Sequence, residues 1–239
     1  MEDKIETPQK VTCAITKDQC ENTSTLILAA GEGLRLGGQP KAFIELDQKP
    51  LIQHVTQLVS AFSAQVIVGV RPDDVNRAQD LLGDSATVVA GGASRQQTVE
   101  ILLALADREM VLIHDVARPF ASSALYSSVL RAAFEFGGAA PALRASKSDS
   151  VAMVDGDWLG APLPRDRVVR VQTPCAFTRE SLVQALRLAK DEKREETAVA
   201  ALLSLAGYKT RLIDGDPENV KITYIEDLQD APMRWSRIS

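Results

Sequence analysis

One stretch near the start of the chain, residues 25–41, constrains the fold more than any other, because an apolar run passes directly into a glycine-rich loop that carries two cations. The run at residues 26–28 (LIL) suits a strand that is covered on both faces of a sheet. The glycines that follow let the backbone turn tightly and bring its N–H groups close to an anion. Arg35 and Lys41 add positive charge. The stretch therefore predicts a buried strand that delivers a phosphate-binding loop.

This loop matches neither of the two best-known phosphate-binding motifs. A Walker A motif requires Gly-x-x-x-x-Gly-Lys-[Ser/Thr], and the dinucleotide fingerprint requires Gly-x-Gly-x-x-Gly. Gly31 and Gly33 fit the first half of the fingerprint, but position 36 is Leu36 and Lys41 is followed by Ala42. A plain glycine-rich turn with two solvated cations is the alternative to an anion site.

The composition describes an average globular protein and excludes several classes of function. The chain has 239 residues, 45% hydrophobic and 25% charged, which is enough for one α/β domain with a large core. Its net charge of −5 argues against a nucleic-acid binder. The cysteines at 13, 20 and 175 lack metal-ligand spacing, so we expect reduced thiols. Because no apolar run approaches the ~20 residues of a membrane span and residues 1–5 do not resemble a signal peptide, we expect a cytoplasmic protein with no membrane partner.

The order of elements along the chain predicts the fold class. Residues 1–24 are polar and show no sustained period, which predicts a disordered N-terminal extension. Beyond them, helical spacing alternates with strand-like apolar runs, as in the predicted helix at 51–62 and strand at 66–70. This alternation favours a single α/β domain over residues 25–239, with a doubly wound, mostly parallel sheet.

Residues 137–171 interrupt this alternation with strand-like pieces and turn signals. Compact domains rarely keep so long a connection without a function or an interface. The part from about 139 to 171 has too few apolar residues in register to bury itself on its own domain, and a two-stranded ribbon alone is marginal in water. The sequence therefore predicts a protruding β-arm that packs against a second copy of the chain, with a loop that orders only on substrate binding as the alternative.

Polar residues follow the predicted strands at their carboxyl ends, where open α/β sheets bind ligands. Gly91, Gly92 and Thr98 can offer backbone N–H groups and a hydroxyl to a base or ribose, or they form a plain strand-to-helix turn. Asp115 is placed to hold Mg²⁺ against triphosphate oxygens. Alternatively, Asp115 is an ion-pair partner, for which Arg118 is the candidate.

Six short motifs follow one another in order along the chain. They are Ala29-Ala-Gly-x-Gly-x-Arg-Leu-Gly, Pro40-Lys, Gly91-Gly-x-x-Arg, His114-Asp-x-Ala-Arg-Pro, Gln172-Thr-Pro and Gly215-Asp-x-x-Asn-x-Lys-x-Thr. The combination, over about residues 25–230, resembles the 2-C-methyl-D-erythritol 4-phosphate cytidylyltransferase family. The resemblance implies a Rossmann-like nucleotidyltransferase fold, a homodimer with an interlocking β-arm, CTP and a polyol phosphate as substrates, Mg²⁺ as cofactor, and a role in non-mevalonate isoprenoid biosynthesis.

The resemblance also implies roles for individual residues. Arg35 and Lys41 match the catalytic pair that stabilises charge on the triphosphate, and Asp115 matches the Mg²⁺ ligand. Matches to nucleotide contacts fall on Ala29, Ala30, Gly31, Gly92 and Thr98. Matches to polyol phosphate contacts fall on Arg118, Ser150, Thr197, Lys221 and Arg165. Arg167 is the alternative to Arg165. The implied reaction is in-line attack by the substrate phosphate on the α-phosphorus of CTP, with pyrophosphate leaving.

Several positions depart from the family pattern, mostly on the polyol side. Ala152 replaces a frequent Lys, Cys175 replaces Gln after Thr-Pro, and Ala198 stands where an acidic residue is usual. Two alternatives therefore stay open: a cytidylyltransferase for another polyol phosphate, such as ribitol 5-phosphate, and a non-catalytic nucleotide-binding relative. Retention of the loop cations and of Asp115 favours an enzyme.

Overall fold

The computed structural model describes residues 15–146 and 148–237, which form an eight-stranded mixed sheet with helices packed on it. The strands are β1 (Thr23–Leu28), β2 (Glu45–Leu46), β3 (Lys49–Pro50), β4 (Gln65–Val70), β5 (Thr87–Ala90), β6 (Met110–Asp115), β7 (Gly138–Arg144), β8 (Val151–Asp155), β9 (Trp158–Leu163), β10 (Val169–Val171), β11 (Cys175–Thr178) and β12 (Arg211–Asp214). The helices are α1 (Lys17–Glu21), α2 (Leu51–Val59), α3 (Val75–Leu82), α4 (Arg95–Leu105), α5 (Ser123–Phe136), α6 (Arg179–Asp191), α7 (Val199–Leu205) and α8 (Ile225–Trp235). None of these helices has the length and apolar character needed to cross a bilayer.

The main sheet has the strand order β10-β7-β11-β6-β1-β4-β5, and β12 also pairs with β7. Its centre is parallel, because β1 pairs parallel with β4 and β6, and β4 pairs parallel with β5. Strand β11 is antiparallel to both of its neighbours, and β10 is antiparallel to β7. The predicted α/β class with a mostly parallel sheet is confirmed.

The core consists of two apolar clusters that share the sheet. Successive side chains of β1 enter different clusters: Leu26 packs with α4, α6 and α7, and Ile27 packs with α2, α3 and α5. Because side chains of a strand point alternately to opposite faces, the two clusters lie on opposite sides of the sheet. Both residues are fully buried, so the strand predicted from the LIL run is covered on both faces. This doubly covered strand fixes the start of the loop at its carboxyl end.

Regular structure begins earlier in the chain than the predicted domain boundary. Lys17–Glu21 form α1, in which Gln19 N donates to Thr16 Oγ1 at 3.2 Å and Thr16 N donates to Gln19 Oε1 at 3.0 Å. Strand β1 then begins at Thr23, which is fully buried. This capping box was the available sequence signal, but the segment has no apolar period. The predicted disorder therefore does not hold for this segment, and residues 1–14 of the predicted extension lie outside the described residues.

The excursion predicted over 137–171 is shorter in the structure, because both of its ends join the main sheet. Strand β7 pairs with β10, β11 and β12, so in the described part of this excursion the sheet that stays separate from the main one is the β8–β9 hairpin. The hairpin carries apolar side chains that are more than half exposed, namely Met153 (54%), Val154 (78%), Trp158 (80%) and Leu159 (86%). The β8–β9 hairpin therefore presents an apolar surface that the described residues of its own chain leave uncovered.

Candidate functional site

A cavity of about 890 Å³ opens at the carboxyl ends of the central parallel strands. Its volume is in the range of small-molecule sites, and its position follows the rule for open α/β sheets. Predicted site residues that line it are Ala30, Gly31, Arg35, Lys41, Gly91, Gly92, Thr98, Asp115 and Lys221. The structure therefore brings most of the residues predicted for the nucleotide side together in one place.

The glycine-rich loop after β1 closes on itself at Gly33. Leu36 N and Gly38 N both donate to the Gly33 carbonyl, at 2.7 and 3.1 Å. Gly33 has φ +67°, and a Cβ there would lie 1.9 Å from the carbonyl oxygen of Gln39. Only glycine tolerates both the left-handed backbone and this close approach. The closure turns the short helical segment that carries Arg35 toward the cavity.

Gly33→Ala should lower turnover at least about tenfold, because a displacement of the loop by about 1 Å misplaces its cations. The matched control is Gly37→Ala. Gly37 also has a positive φ, of +77°, but a Cβ there meets no atom within 4 Å. Steady-state kinetics on the two variants should show near-normal turnover for Gly37→Ala. Equal turnover of the two variants would mean that the close approach at Gly33 has no catalytic consequence.

Asp115, at the end of β6, is the buried centre of a cluster of charges. Its side chain accepts hydrogen bonds from Arg95 Nη2 on Oδ1 at 2.9 Å and from Lys221 Nζ on Oδ2 at 2.8 Å. Burial would by itself raise the pKa of this carboxyl, but Arg95 and then Lys221 outweigh burial and hold the pKa below its ordinary value. The carboxylate is therefore ionised and faces the cavity at neutral pH.

Arg95 is a site residue for which the sequence motifs predicted no role. It lines the cavity as the first residue of α4, which Ser94 caps by accepting from Gln97 N. Its Nη1 donates to the Thr197 carbonyl at 2.8 Å while its other nitrogens bond Asp115. The Gly-Gly-x-x-Arg motif contained this arginine and was the signal that could have identified it. Arg95 ties the end of β6 to the segment that precedes α7.

Lys41 and Arg35 extend this positive charge around the cavity. Lys41 Nζ donates to the Ile222 carbonyl at 2.9 Å. Burial lowers the pKa of Lys41, and the neighbouring charges of Lys221 and Arg35 lower it further. The Arg35 guanidinium lies 4.9 Å from the ring centroid of Tyr224 and donates from Nη1 to its hydroxyl at 3.1 Å. Three cations around one cavity leave a site suited to a polyanion.

Lys221 reaches the cavity because two of the sequence motifs hold each other in place. Gln172 Nε2 donates to the carbonyls of Asp216 and Asn219, at 2.8 and 3.1 Å. Asn219 Nδ2 in turn donates to the Thr173 carbonyl at 2.8 Å. The Gln-Thr-Pro motif and the Asn-x-Lys-x-Thr motif are thus one hydrogen-bonded scaffold. This role explains the presence of Gln172 and Asn219, and it requires no direct contact of either side chain with a ligand.

Three further predicted residues lie beside the cavity without lining it. Ala29 is buried, and its N–H donates to the Gly69 carbonyl at 2.8 Å, so it anchors the loop. Arg118 Nη1 donates to the Asn219 carbonyl at 2.7 Å. The suggested ion pair of Arg118 with Asp115 is wrong, because the ion pairs of that carboxylate are made by other cations. Thr197 offers its carbonyl to an arginine side chain.

Ser150 and Arg165 are not brought to the cavity within one chain. Ser150 directly precedes β8, and Arg165 lies in a short helical turn just after β9, so the two flank the β8–β9 hairpin. Both are exposed, as is Arg167. Exposure alone therefore does not distinguish Arg165 from Arg167 as a ligand. The assignment of these residues to the polyol phosphate stays a prediction.

The departures from the family pattern lie away from the cavity lining. Cys175 is the first residue of β11 and is buried in the core, and this burial raises the pKa of its thiol to about 12. It is therefore a neutral core residue at physiological pH. Ala152 lies on β8, and Ala198 is the N-cap residue of α7. These substitutions leave the charge cluster around Asp115 unchanged.

Comparisons with known proteins match nearly the whole described chain. The family model IspD, 2-C-methyl-D-erythritol 4-phosphate cytidylyltransferase, matches residues 23–235. Curated proteins of that name include one from Thermus thermophilus, 38% identical over 207 residues, covering 86% of this chain and 93% of the relative. Another, from Deinococcus radiodurans, is 36% identical over 207 residues and covers 86% of each chain.

Solved structures show the same likeness. The crystal structure of 2-C-methyl-D-erythritol 4-phosphate cytidylyltransferase from Thermus thermophilus is similar with a TM-score of 0.77 and 34% identity, over 90% of this chain and 98% of that one. A 4-diphosphocytidyl-2C-methyl-D-erythritol synthase from Anaerococcus prevotii has a TM-score of 0.78 and 26% identity, over 91% of this chain and 99% of that one. The fold is therefore of the nucleotidyltransferase type, as the sequence motifs implied.

Proposed function

Because the chain belongs to the 2-C-methyl-D-erythritol 4-phosphate cytidylyltransferase family, we propose that it transfers CMP from CTP to 2-C-methyl-D-erythritol 4-phosphate. The products are pyrophosphate and 4-diphosphocytidyl-2-C-methyl-D-erythritol, an intermediate of non-mevalonate isoprenoid biosynthesis. The observation that carries the proposal is the convergence of Arg35, Lys41, Lys221 and Asp115 on one cavity at the end of a parallel sheet. The proposed location is the cytoplasm, as expected for an enzyme that consumes CTP.

The arrangement catalyses the transfer by positioning and by electrostatic stabilisation. A phosphate oxygen of the polyol attacks the α-phosphorus of CTP in line with the departing pyrophosphate, and it needs no general base at neutral pH. Lys41 and Arg35 neutralise the charge that grows on the α-phosphoryl group and on the leaving pyrophosphate. His114 does not serve as a base in this scheme. It is fully buried, burial lowers its pKa to about 4, and its Nε2 bonds the Arg118 carbonyl.

Mg²⁺ fits the acceptor chemistry at Asp115. The carboxylate faces the cavity, and the hydrogen bonds from Arg95 and Lys221 leave acceptor capacity on Oδ2. The described residues contain no cluster of three or more acidic, histidine or cysteine ligands. A site with one carboxylate suits Mg²⁺, which takes its other ligands from substrate phosphates and water. When bound, the ion adds positive charge next to the triphosphate.

The polyol phosphate is proposed to bind between the two copies of a homodimer. Arg118, Thr197 and Lys221 come from one chain, beside the cavity. Ser150 and Arg165, or Arg167, which flank the β8–β9 hairpin, come from the other chain. Support comes from the apolar surface of that hairpin, which is exposed among the residues that the structure describes. An isologous arrangement covers both hairpins at once and completes both sites.

Asp substitutions on the β8–β9 hairpin should separate the two chains. The double variant Trp158→Asp, Leu159→Asp places charge on the two most exposed of its large apolar side chains, which are 80% and 86% exposed. Because those side chains contact solvent in one chain, the fold should persist while sedimentation velocity shows a monomer with at least about tenfold lower activity. Val183→Asp, on the exposed side of α6, is the control and should remain dimeric. A wild-type protein that is monomeric and fully active would overturn the shared site.

The choice of polyol can be tested by pyrophosphate release. Purified protein is incubated with CTP, Mg²⁺ and, separately, methylerythritol, ribitol and glycerol phosphates. The proposal predicts that 2-C-methyl-D-erythritol 4-phosphate gives the highest kcat/KM of the three. Activity with ribitol 5-phosphate alone would replace the proposed substrate while keeping the nucleotide chemistry. No release with any of them would favour a non-catalytic relative.

A further inference from the structure

Tyr224 makes two contacts with the same guanidinium in the candidate site. Its hydroxyl accepts a hydrogen bond from Arg35 Nη1 at 3.1 Å, and the centroid of its ring lies 4.9 Å from the guanidinium carbon of Arg35. The two residues are separated by 189 positions in the chain. A planar guanidinium that both stacks on an aromatic ring and bonds its hydroxyl has a restricted orientation. Tyr224 therefore limits where the Arg35 charge can point.

Arg35 depends on such a contact more than Lys41 does. Lys41 is partly buried and donates to a backbone carbonyl. Arg35 is exposed and lies in a three-residue helical turn between left-handed glycines. A long side chain on a surface loop has many rotamers, and restricting it before substrate arrives lowers the cost of ordering it in the reaction. A partner on a more rigid element would serve this purpose.

The backbone of Tyr224 is held rigidly. Asp227 Oδ2, in the first turn of α8, accepts hydrogen bonds from Thr223 N at 2.8 Å and Tyr224 N at 2.9 Å. Two residues earlier, Ile222 is fully buried and its N–H donates to the Ala117 carbonyl at 2.8 Å. The tyrosine thus projects from a segment that is fixed on both sides.

The same segment holds the other cations of the site. The Ile222 carbonyl accepts from Lys41 Nζ, and Lys221 Nζ bonds Asp115 Oδ2 at 2.8 Å. With Tyr224, residues 221–224 therefore reach both loop cations and the buried carboxylate. This segment therefore supports the charged side chains of the cavity through direct hydrogen bonds.

We propose that Tyr224 is a positioning residue that orients the Arg35 guanidinium for the triphosphate of CTP. This inference rests on the proposed function, since it concerns the same site. It assigns a role to the side chain that follows the Lys-x-Thr motif, and it makes the start of α8 part of the nucleotide site. A tyrosine that serves only as the residue preceding α8 would instead contribute to folding and leave Arg35 unaffected.

A double-mutant cycle separates these two roles. Tyr224→Ala, Arg35→Ala and the double variant are compared with the wild type by pyrophosphate release with CTP and the polyol phosphate. Loss of the ring and the hydroxyl together should lower kcat about tenfold in the wild-type background and raise the KM for CTP about threefold. In the Arg35→Ala background, Tyr224→Ala should have no further effect on either constant. Tyr224→Phe, which keeps the ring, should recover most of the lost kcat.

Controls and a second measurement keep the test decisive. Tyr208→Ala removes a partly exposed tyrosine from a separate surface groove and should leave both constants unchanged. If the wild type releases no pyrophosphate, the proposed function fails, and the same cycle is read from CTP binding by calorimetry. Tyr224→Ala should then weaken CTP binding about threefold only when Arg35 is present. Equal effects in both backgrounds, or no effect in either, would overturn the positioning role.

Discussion

Lys41→Ala should lower kcat at least about a hundredfold, with little change in the fold. Removing one preorganised donor from a site that stabilises transition-state charge typically costs this much. Lys41 meets the requirements for such a donor, because it is partly buried, lines the cavity and is held by the Ile222 carbonyl at 2.9 Å. Arg35→Ala should have an effect of the same order, since its charge faces the same cavity. Steady-state pyrophosphate release measures both.

The control for this prediction is Lys49→Ala. Lys49 is close in sequence, but its Nζ bonds Gln57 Oε1 and it is not among the residues that line the cavity. Its removal should leave kcat within about twofold of the wild type, as for most surface substitutions. Circular dichroism should show the same helix content in all three variants. Turnover near the wild-type value in Lys41→Ala would contradict the proposed role of the loop.

Asp115→Asn should raise the Mg²⁺ concentration needed for half-maximal activity at least about tenfold. The substitution keeps the shape of the side chain but removes the charge that attracts the ion. It also leaves the two cations that bond the carboxylate, Arg95 and Lys221, without their counter-charge. We therefore expect a lower kcat even at saturating Mg²⁺ and a modestly lower melting temperature, because two partly buried cations then repel each other without a counter-charge.

Asp73→Asn is the matched control for Asp115. Asp73 also lines the cavity, but it lies in the short turn after β4 and is exposed. Its neutral variant should keep the Mg²⁺ dependence of the wild type. Activity that persists unchanged in EDTA would remove the metal from the account, and an unchanged Mg²⁺ requirement in Asp115→Asn would place the ion elsewhere.

The fold and the nucleotide side of the site could be predicted because their signals are local. An apolar run such as that of β1 must be covered on both faces, and alternation of such runs with helical spacing leaves few topologies besides a parallel sheet. The ends of neighbouring parallel strands then meet at one edge, which is why Lys41, Gly92 and Asp115 could be placed together before the structure was known.

The remaining features depend on contacts that no local pattern contains. Arg95 bonds a carboxylate 20 residues away and a carbonyl 102 residues away, and no period in the sequence indicates such pairs. The ends of the predicted arm were misplaced because β7 and β10 look like isolated strands in sequence, although they join the main sheet. The groups that Ser150 and Arg165 contact could not be predicted from the pattern of one chain, because the proposed site uses a second copy of the chain.

Transfer of a cytidylyl group to a polyol phosphate can be observed by phosphorus NMR. Purified protein is incubated with CTP, Mg²⁺ and 2-C-methyl-D-erythritol 4-phosphate, and the spectrum shows the reactants and both products together. CTP should be consumed only when the polyol phosphate is present, with pyrophosphate and a cytidine diphosphate ester of the polyol formed in equal amounts. Unchanged CTP, or hydrolysis of CTP at the same rate without the polyol phosphate, would contradict it.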